Sequence, residues 1–216
     1  RTLAAAGIAT LATGVLYTFA WPVALGVQAL TSRRHGRASA DSFRGESDDS
    51  AGAVPAHGFA AGLLSVSVAL LLSVAMRPVL GAFIADEVIR EQALIYVLTL
   101  RWSLPVLVLG LTMRGFLAGV GLTRILMLAT VLANALNVGL NWLFIFGRLG
   151  LPALGIRGAA LGTLLAEAGL SLLLIGYVLF SRRASEHRPM AAFRFRSVRR
   201  STVARILQIM APPAVQ

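Results

Sequence analysis

The sequence predicts an all-α, polytopic membrane helix bundle. Three observations predict it. Of the 216 residues, 57% are hydrophobic and only 13% are charged, whereas soluble domains average about a quarter charged. The apolar residues form long blocks free of charge, at or above the roughly 18 residues that mark a membrane span. The arginines gather between the blocks. In lipid every backbone group must be satisfied within the protein, so a span is a helix or part of a closed barrel. The length of the blocks, and their lack of two-residue alternation, exclude the barrel.

The first span lies within residues 3–32, where Trp21-Pro22 predicts a kink. The second covers 58–76 and the third 92–113, which carries Arg101 and Pro105. The fourth is 125–147, 23 residues without a charge between Arg124 and Arg148. The fifth is 158–181, with Glu167 as its one charge, and a sixth begins near Ile206. The helices are expected at 3–32, 58–84, 92–117, 122–147, 156–181 and from about 203 onward, with no strand. Residues 33–52, "RRHGRASADSFRGESDDSAG", are polar and rich in Gly and Ser, and 38–52 are expected to be irregular. Asp48-Asp49 reads as part of a solvated loop or, alternatively, as a cation ligand.

Arginine counts orient the bundle. The connections 33–57, 114–124 and 182–200 hold thirteen arginines, and 77–91 and 148–157 hold two each. The first set is expected in the cytoplasm and the second outside. The first span then runs inward from an outer start, which predicts a missing upstream helix. The chain is expected to be truncated at both ends.

Several function classes are excluded or disfavoured. The net charge of +11 would suggest nucleic acid in a soluble protein. Here the basic, Phe-bearing stretch 181–200 (Phe193, Phe195) reads better as lying on anionic headgroups, with RNA as the weaker alternative. No nucleic-acid partner is expected. The absence of cysteine excludes disulfides and thiolate metal sites. No Ser/His/Asp set, metal-ligand cluster or phosphate-binding glycine loop supports hydrolase or transferase chemistry. His57 and His187 fall at loop positions and His35 in a basic turn.

The informative residues are the polar ones inside the spans. Asn134, Asn137 and Asn141 fall within about 60° of one another on a helix, so they form one stripe. They read either as interhelical hydrogen-bond glue or as the wall of a solvent-filled cavity. On the next span Thr163 and Glu167 share a face, and Gly158, Gly162, Ala166 and Gly169 share another, suited to close packing. A carboxylate at membrane depth implies function, or else a structurally paired or protonated side chain. Counting inward at about 1.5 Å per residue pairs Asn141 with Thr163, each about 10 Å deep. The same count pairs Asn137 with Glu167, near the midplane of a roughly 30 Å core. Such a ladder would suit a proton, a hydrated cation or the polar part of a substrate. Arg101 reads as a snorkelling, structural or gating residue near Pro105, or as a cavity residue.

These pieces, in this order, resemble the multidrug and toxic compound extrusion (MATE) transporters. "VALGVQALTSRRHGRAS" is similar to the end of that family's second helix, and "RGFLAGVGLTR" (114–124) to its turn R-G-x-L-x-G-x-G-D-T-R. "NALNVGLNWLFIFGRLGLPALGIRGAALGTLLAE" (134–167) resembles its fifth and sixth helices, and "RILQIMAPPAVQ" the start of its seventh. The spelling "GIRGAALGTLLAE" is nearest the damage-inducible (DinF-like) branch. The resemblance implies the N-terminal lobe of a twelve-helix transporter, with residues 1–200 in that lobe and 201–216 opening the C-terminal lobe. It implies a multi-pass protein of the cell membrane, a transporter and no enzyme, and a secondary-active antiporter for multidrug efflux. Drugs or organic cations would leave in exchange for H+ or Na+. No cofactor beyond the coupling ion is expected, and the full-length protein is expected to be a monomer in membrane lipid. The implied cation or substrate site comprises Asn137, Asn141, Thr163, Glu167 and Asn134. The family motif N-x-x-x-D meets Asn137 and Asn141 here, so an amide replaces the aspartate, and Leu122 stands where the turn has Asp. That leaves Glu167 as the one intramembrane carboxylate able to titrate. A lipid-linked precursor flippase of related architecture is the alternative; it would line its cavity with several basic residues, and only Arg101 is expected within a span. A membrane scaffold or membrane-embedded enzyme is the third.

Overall fold

Prolines divide the spans. The computed structural model describes residues 2–40, 53–181 and 198–210, and it is helical with no strand among them. Helix α1 (Thr2–Tyr17) leads through a turn into α2 (Pro22–Ala40). Helix α3 (Val54–Val74) leads across Ala75 into α4 (Met76–Phe83), and α5 (Glu87–Leu100) passes through a 3-10 turn, Arg101–Ser103, into α6 (Leu104–Gly119). A proline ring collides with the carbonyl four residues back. For Pro22, Pro78 and Pro105 those carbonyls belong to Thr18, Val74 and Arg101, which are where the regular helices end or tighten. The kink expected at Trp21-Pro22 is therefore a full break in α-helix. The chain stays hydrogen-bonded through it, with Trp21 N donating to Tyr17 O at 3.0 Å and Val23 N to Ala20 O at 3.1 Å.

The remaining helices are α7 (Thr123–Phe146), α8 (Ile156–Phe180) and α9 (Arg200–Met210). Among the described residues, five stretches are long and apolar enough to cross a membrane: Ala5–Gly36, Val54–Val74, Glu87–Gly119, Thr123–Phe146 and Ile156–Phe180. Residues 38–40, expected to be irregular, form the last turn of α2. The expectations for Asp48-Asp49, for His187 and for Phe193 and Phe195 fall outside the described residues.

Capping follows local chemistry. Asp86 Oδ1 accepts from the amides of Val88 (2.9 Å) and Ile89 (3.2 Å), which fixes the start of α5. Gly147 ends α7 in the left-handed region at φ 64°, where a side chain would also meet Leu151 O. The connection 147–155 then folds back. Leu154 N donates to Phe144 O at 3.0 Å and Gly155 N to Ile145 O at 3.3 Å.

The core has two centres at different depths. One joins α1, α3, α4, α5 and the first half of α6 around Leu16, Leu94 and Leu104. The other joins α2, the rest of α6, α8 and α9 around Val27, Phe116, Leu174 and Ile206. The break between α1 and α2 lies between the two centres, with Ala20 in the first and Val23 in the second. Helix α7 stands at the edge, packs chiefly on α8 and buries only Ala129 fully.

Candidate functional site

Where the two core centres part, the helices leave a cavity of about 330 Å³. Tyr17 and Trp21 reach it from the break between α1 and α2, and Arg114 from α6. Asn134 and Asn137 line it from α7, and Thr163, Glu167 and Ser171 from α8. Helix α8 is clamped beside α6: Ser171 Oγ donates to Val106 O at 3.1 Å, and Gly110 leaves room for that hydroxyl.

The small stripe of α8 sets its distance from α7. A Cβ at Gly158 would lie 2.6 Å from the backbone of Phe144, and one at Gly162 would overlap the side-chain oxygen of Asn141. At this approach Asn137 Nδ2 donates to Thr163 Oγ1 at 3.3 Å, and Asn141 Nδ2 to Asn137 Oδ1 at 3.1 Å. Thr163 passes its own proton to Ala159 O at 3.1 Å. Asn141 Oδ1 is buried with no hydrogen-bond partner among the described residues.

The pairing differs from the expected ladder by one turn. Asn137 meets Thr163, not Glu167, and Asn141 sits over Gly162 behind the cavity wall. Counting inward from Arg148 on one helix and Arg157 on the next, which gives the expected pairs, treats those two residues as level. The back-folded connection instead sets Gly155 level with Ile145, and an equal number of residues inward on each helix brings Asn137 to Thr163. Asn134 lines the cavity as an exposed side chain.

Glu167 finds its partner elsewhere. The Tyr17 hydroxyl lies 3.4 Å from both carboxylate oxygens and 2.7 Å from Ser103 Oγ. Ser103, wholly buried in the 3-10 turn, donates to Leu100 O at 2.7 Å. A hydroxyl carries one proton. With Ser103's committed to Leu100, the Tyr17 proton has two acceptors in reach, Ser103 Oγ and the Glu167 carboxylate. The carboxylate and the buried serine of the helix break thus share one hydroxyl.

Sequence reasoning missed Tyr17, Ser103 and Arg114. Arg114 was expected in a cytoplasmic connection. It lies inside α6, half-buried, lines the cavity and acts electrostatically on Glu167. Arg101 is half-buried over the Trp102 ring, 5.1 Å from its centroid, and does not line the cavity. His57, expected in a loop, is buried in the first turn of α3.

This is the build of a multi-pass membrane protein with a cavity of mixed polar and apolar lining between its helices. Comparison with known proteins identifies its family. The family model MatE matches residues 1–143, and the chain belongs to the MatE family. A probable multidrug resistance protein NorM of Pseudomonas aeruginosa is 30% identical over 187 residues, 86% of this chain and 36% of that protein. A probable NorM of Oceanobacillus iheyensis is 32% identical over 116 residues, 52% of this chain and 26% of its own length. A solved inward-facing multidrug resistance MATE family transporter superposes with a TM-score of 0.66 at 26% identity, over 96% of this chain and 48% of the other. A MATE structure in a bent conformation gives 0.68 at 24% identity, over 97% and 47%, a likeness of fold. The chain thus spans about half the length of these structures and a quarter to a third of the NorM relatives.

Proposed function

We propose that the chain is the N-terminal lobe of a secondary-active exporter that moves drugs or organic cations out in exchange for H+ or Na+. Residues 1–200 form that lobe and 201–216 open a second one. The observation that carries this reading is Glu167, an acidic side chain lining a 330 Å³ cavity within a membrane bundle. A carboxylate there is costly unless it works. The names of the NorM relatives support export of drugs as the activity.

In the mechanism we infer, Asn134, Asn137, Thr163 and Glu167 offer oxygens and amides to a cationic guest or to the coupling ion. Asn141 holds Asn137 in place and contributes through it. Arg114 opposes a second positive charge in the cavity, so a cation bound beside ionised Glu167 competes with a proton there. Loss of the proton lets the guest in, and its return drives the guest out. The flippase reading gains one point, because Arg114 is a basic cavity residue. A single arginine beside a glutamate leaves the wall near neutral, which favours the cation exporter.

The test is Glu167→Gln in the full-length protein reconstituted in proteoliposomes. Proton-driven export of an organic cation is expected to collapse, with folding and insertion intact. Export and pH dependence equal to wild type would remove the coupling role.

A further inference from the structure

A second cavity, of about 230 Å³, lies at the opposite end of α2, away from the site described above. It is lined by Leu30, Arg33 and Arg34 of α2 and, on the other side, by Arg199, Ser201, Thr202 and Arg205 at the start of α9. Four guanidinium groups and two hydroxyls converge, and no acidic residue is among these lining residues. The pocket also faces the start of α9, the positive end of that helix's dipole. A guanidinium is positive and only donates, and a hydroxyl can donate. That is the chemistry of a phosphate site, since guanidinium forks match phosphate oxygens in pairs.

The site is also held in position. His57 Nε2 accepts from the backbone amide of Arg199 at 3.0 Å, while His57 Nδ1 lies 2.8 Å from Ala53 O. His57 is 3% exposed. The buried ring therefore pins the residue before α9 to the first turn of α3. Thr202 N and Val203 N in turn bond Arg199 O, each at 3.1 Å. The arginines of α9 are thus set against those of α2 through a core contact. The arginine bias of the loops places this end at the cytoplasmic surface, where α2 leaves the apolar layer at headgroup height.

We propose that this pocket binds a phosphate group of an anionic molecule at the inner membrane surface. Its volume holds several waters' worth of ligand at about 30 Å³ each, enough for a phosphate with part of a headgroup. The phosphate has two sources, a lipid headgroup or a soluble phosphate.

The experiment uses the full-length protein in nanodiscs. One arm exchanges phosphatidylcholine for phosphatidylglycerol and reads retained lipid by native mass spectrometry. The other titrates inorganic phosphate calorimetrically in phosphatidylcholine discs. The variants are Arg33→Gln and Arg205→Gln, with Arg124→Gln, exposed and outside the pocket, as the control for general surface charge. Each pocket variant is expected to weaken binding about tenfold, and Arg33→Lys to recover part of it because charge returns without the fork. Thermal unfolding of each variant separates lost binding from lost fold. Retained phosphatidylglycerol without phosphate binding assigns a lipid headgroup; phosphate binding that the same variants abolish assigns a soluble phosphate. Equal binding by wild type and the pocket variants would overturn the proposal, as would an equal loss in Arg124→Gln. So would binding that appears only in Asp48→Asn/Asp49→Asn, which would make the pocket a socket for the chain's own acidic segment.

Discussion

Replacing Gly158 by Ala tests whether the spacing of α7 and α8 carries the polar face of the cavity. The new Cβ would lie 2.6 Å from Phe144 C and O and 2.9 Å from Ile145 N. Ordinary contact needs about 3.5–4.0 Å, so the helices must part by about 1 Å. The obstructing atoms are backbone, and no side chain can swing aside. Alanine gains about 1 kcal/mol of helix propensity over glycine. Against this stand an overpacking cost of about 1–3 kcal/mol and a quarter to a half of each dispersion contact along the seam. The Asn137–Thr163 bond, already 3.3 Å, would pass out of range. The net loss is expected at about 1–3 kcal/mol. Unfolding of the purified full-length protein in detergent reads it, with Gly176→Ala as control. Gly176 is on the same helix with nothing within 4 Å of an added Cβ, so it should be neutral or gain up to about 1 kcal/mol. Indistinguishable midpoints for the two variants would refute the reasoning.

Tyr17→Phe removes the one hydroxyl between Glu167 and Ser103; it should cost about 1 kcal/mol in unfolding measurements and impair proton-driven export in proteoliposomes, and unaltered export would detach Tyr17 from coupling. Asn137→Ala strands Asn141 Nδ2 and Thr163 and should cost about 1–2 kcal/mol, whereas Asn134→Ala, at an exposed side chain, should stay within about 0.5 kcal/mol; equal costs would mean that the asparagine chain does not hold α7 to α8. Cysteine placed at Arg148 of the full-length protein should react with an impermeant reagent from outside, and at Arg124 only from inside; the reverse pattern would invert the bundle and move the arginine pocket to the other face.

The spans and the break at Pro22 were legible because they follow from local rules: charge-free blocks set the helices, and a proline acts on the carbonyl four residues back. The breaks at Ala75 and at Arg101–Ser103 fall inside the helices expected at 58–84 and 92–117 and correct them, although Pro78 and Pro105 act by the same local rule. The asparagine stripe and the small face of α8 were also local, and both meet across one short connection. What was not legible is non-local. Tyr17 stands 150 residues from Glu167, and no periodicity links them. Arg114 opens "RGFLAGVGLTR" and reads as a loop charge, yet α6 continues past it to Gly119. The register of α7 on α8 turned on a fold-back in 147–155 that composition does not announce. His57 looked like a loop residue because a polar stretch precedes it, but Pro55 starts α3 before it.

The wide separation in sequence of the groups around the cavity has a consequence for assembly. Helices α7 and α8 form a hairpin whose contacts are short in range, and such contacts close early. Tyr17 leaves the ribosome long before Glu167 exists, and the two meet only after six further helices have been laid between them. The cavity is therefore completed only once α8 has been made. Until then Arg114 waits in the membrane without the carboxylate that shares its cavity. The same residues that would move a guest through the finished protein are the ones most exposed to error while it is being made.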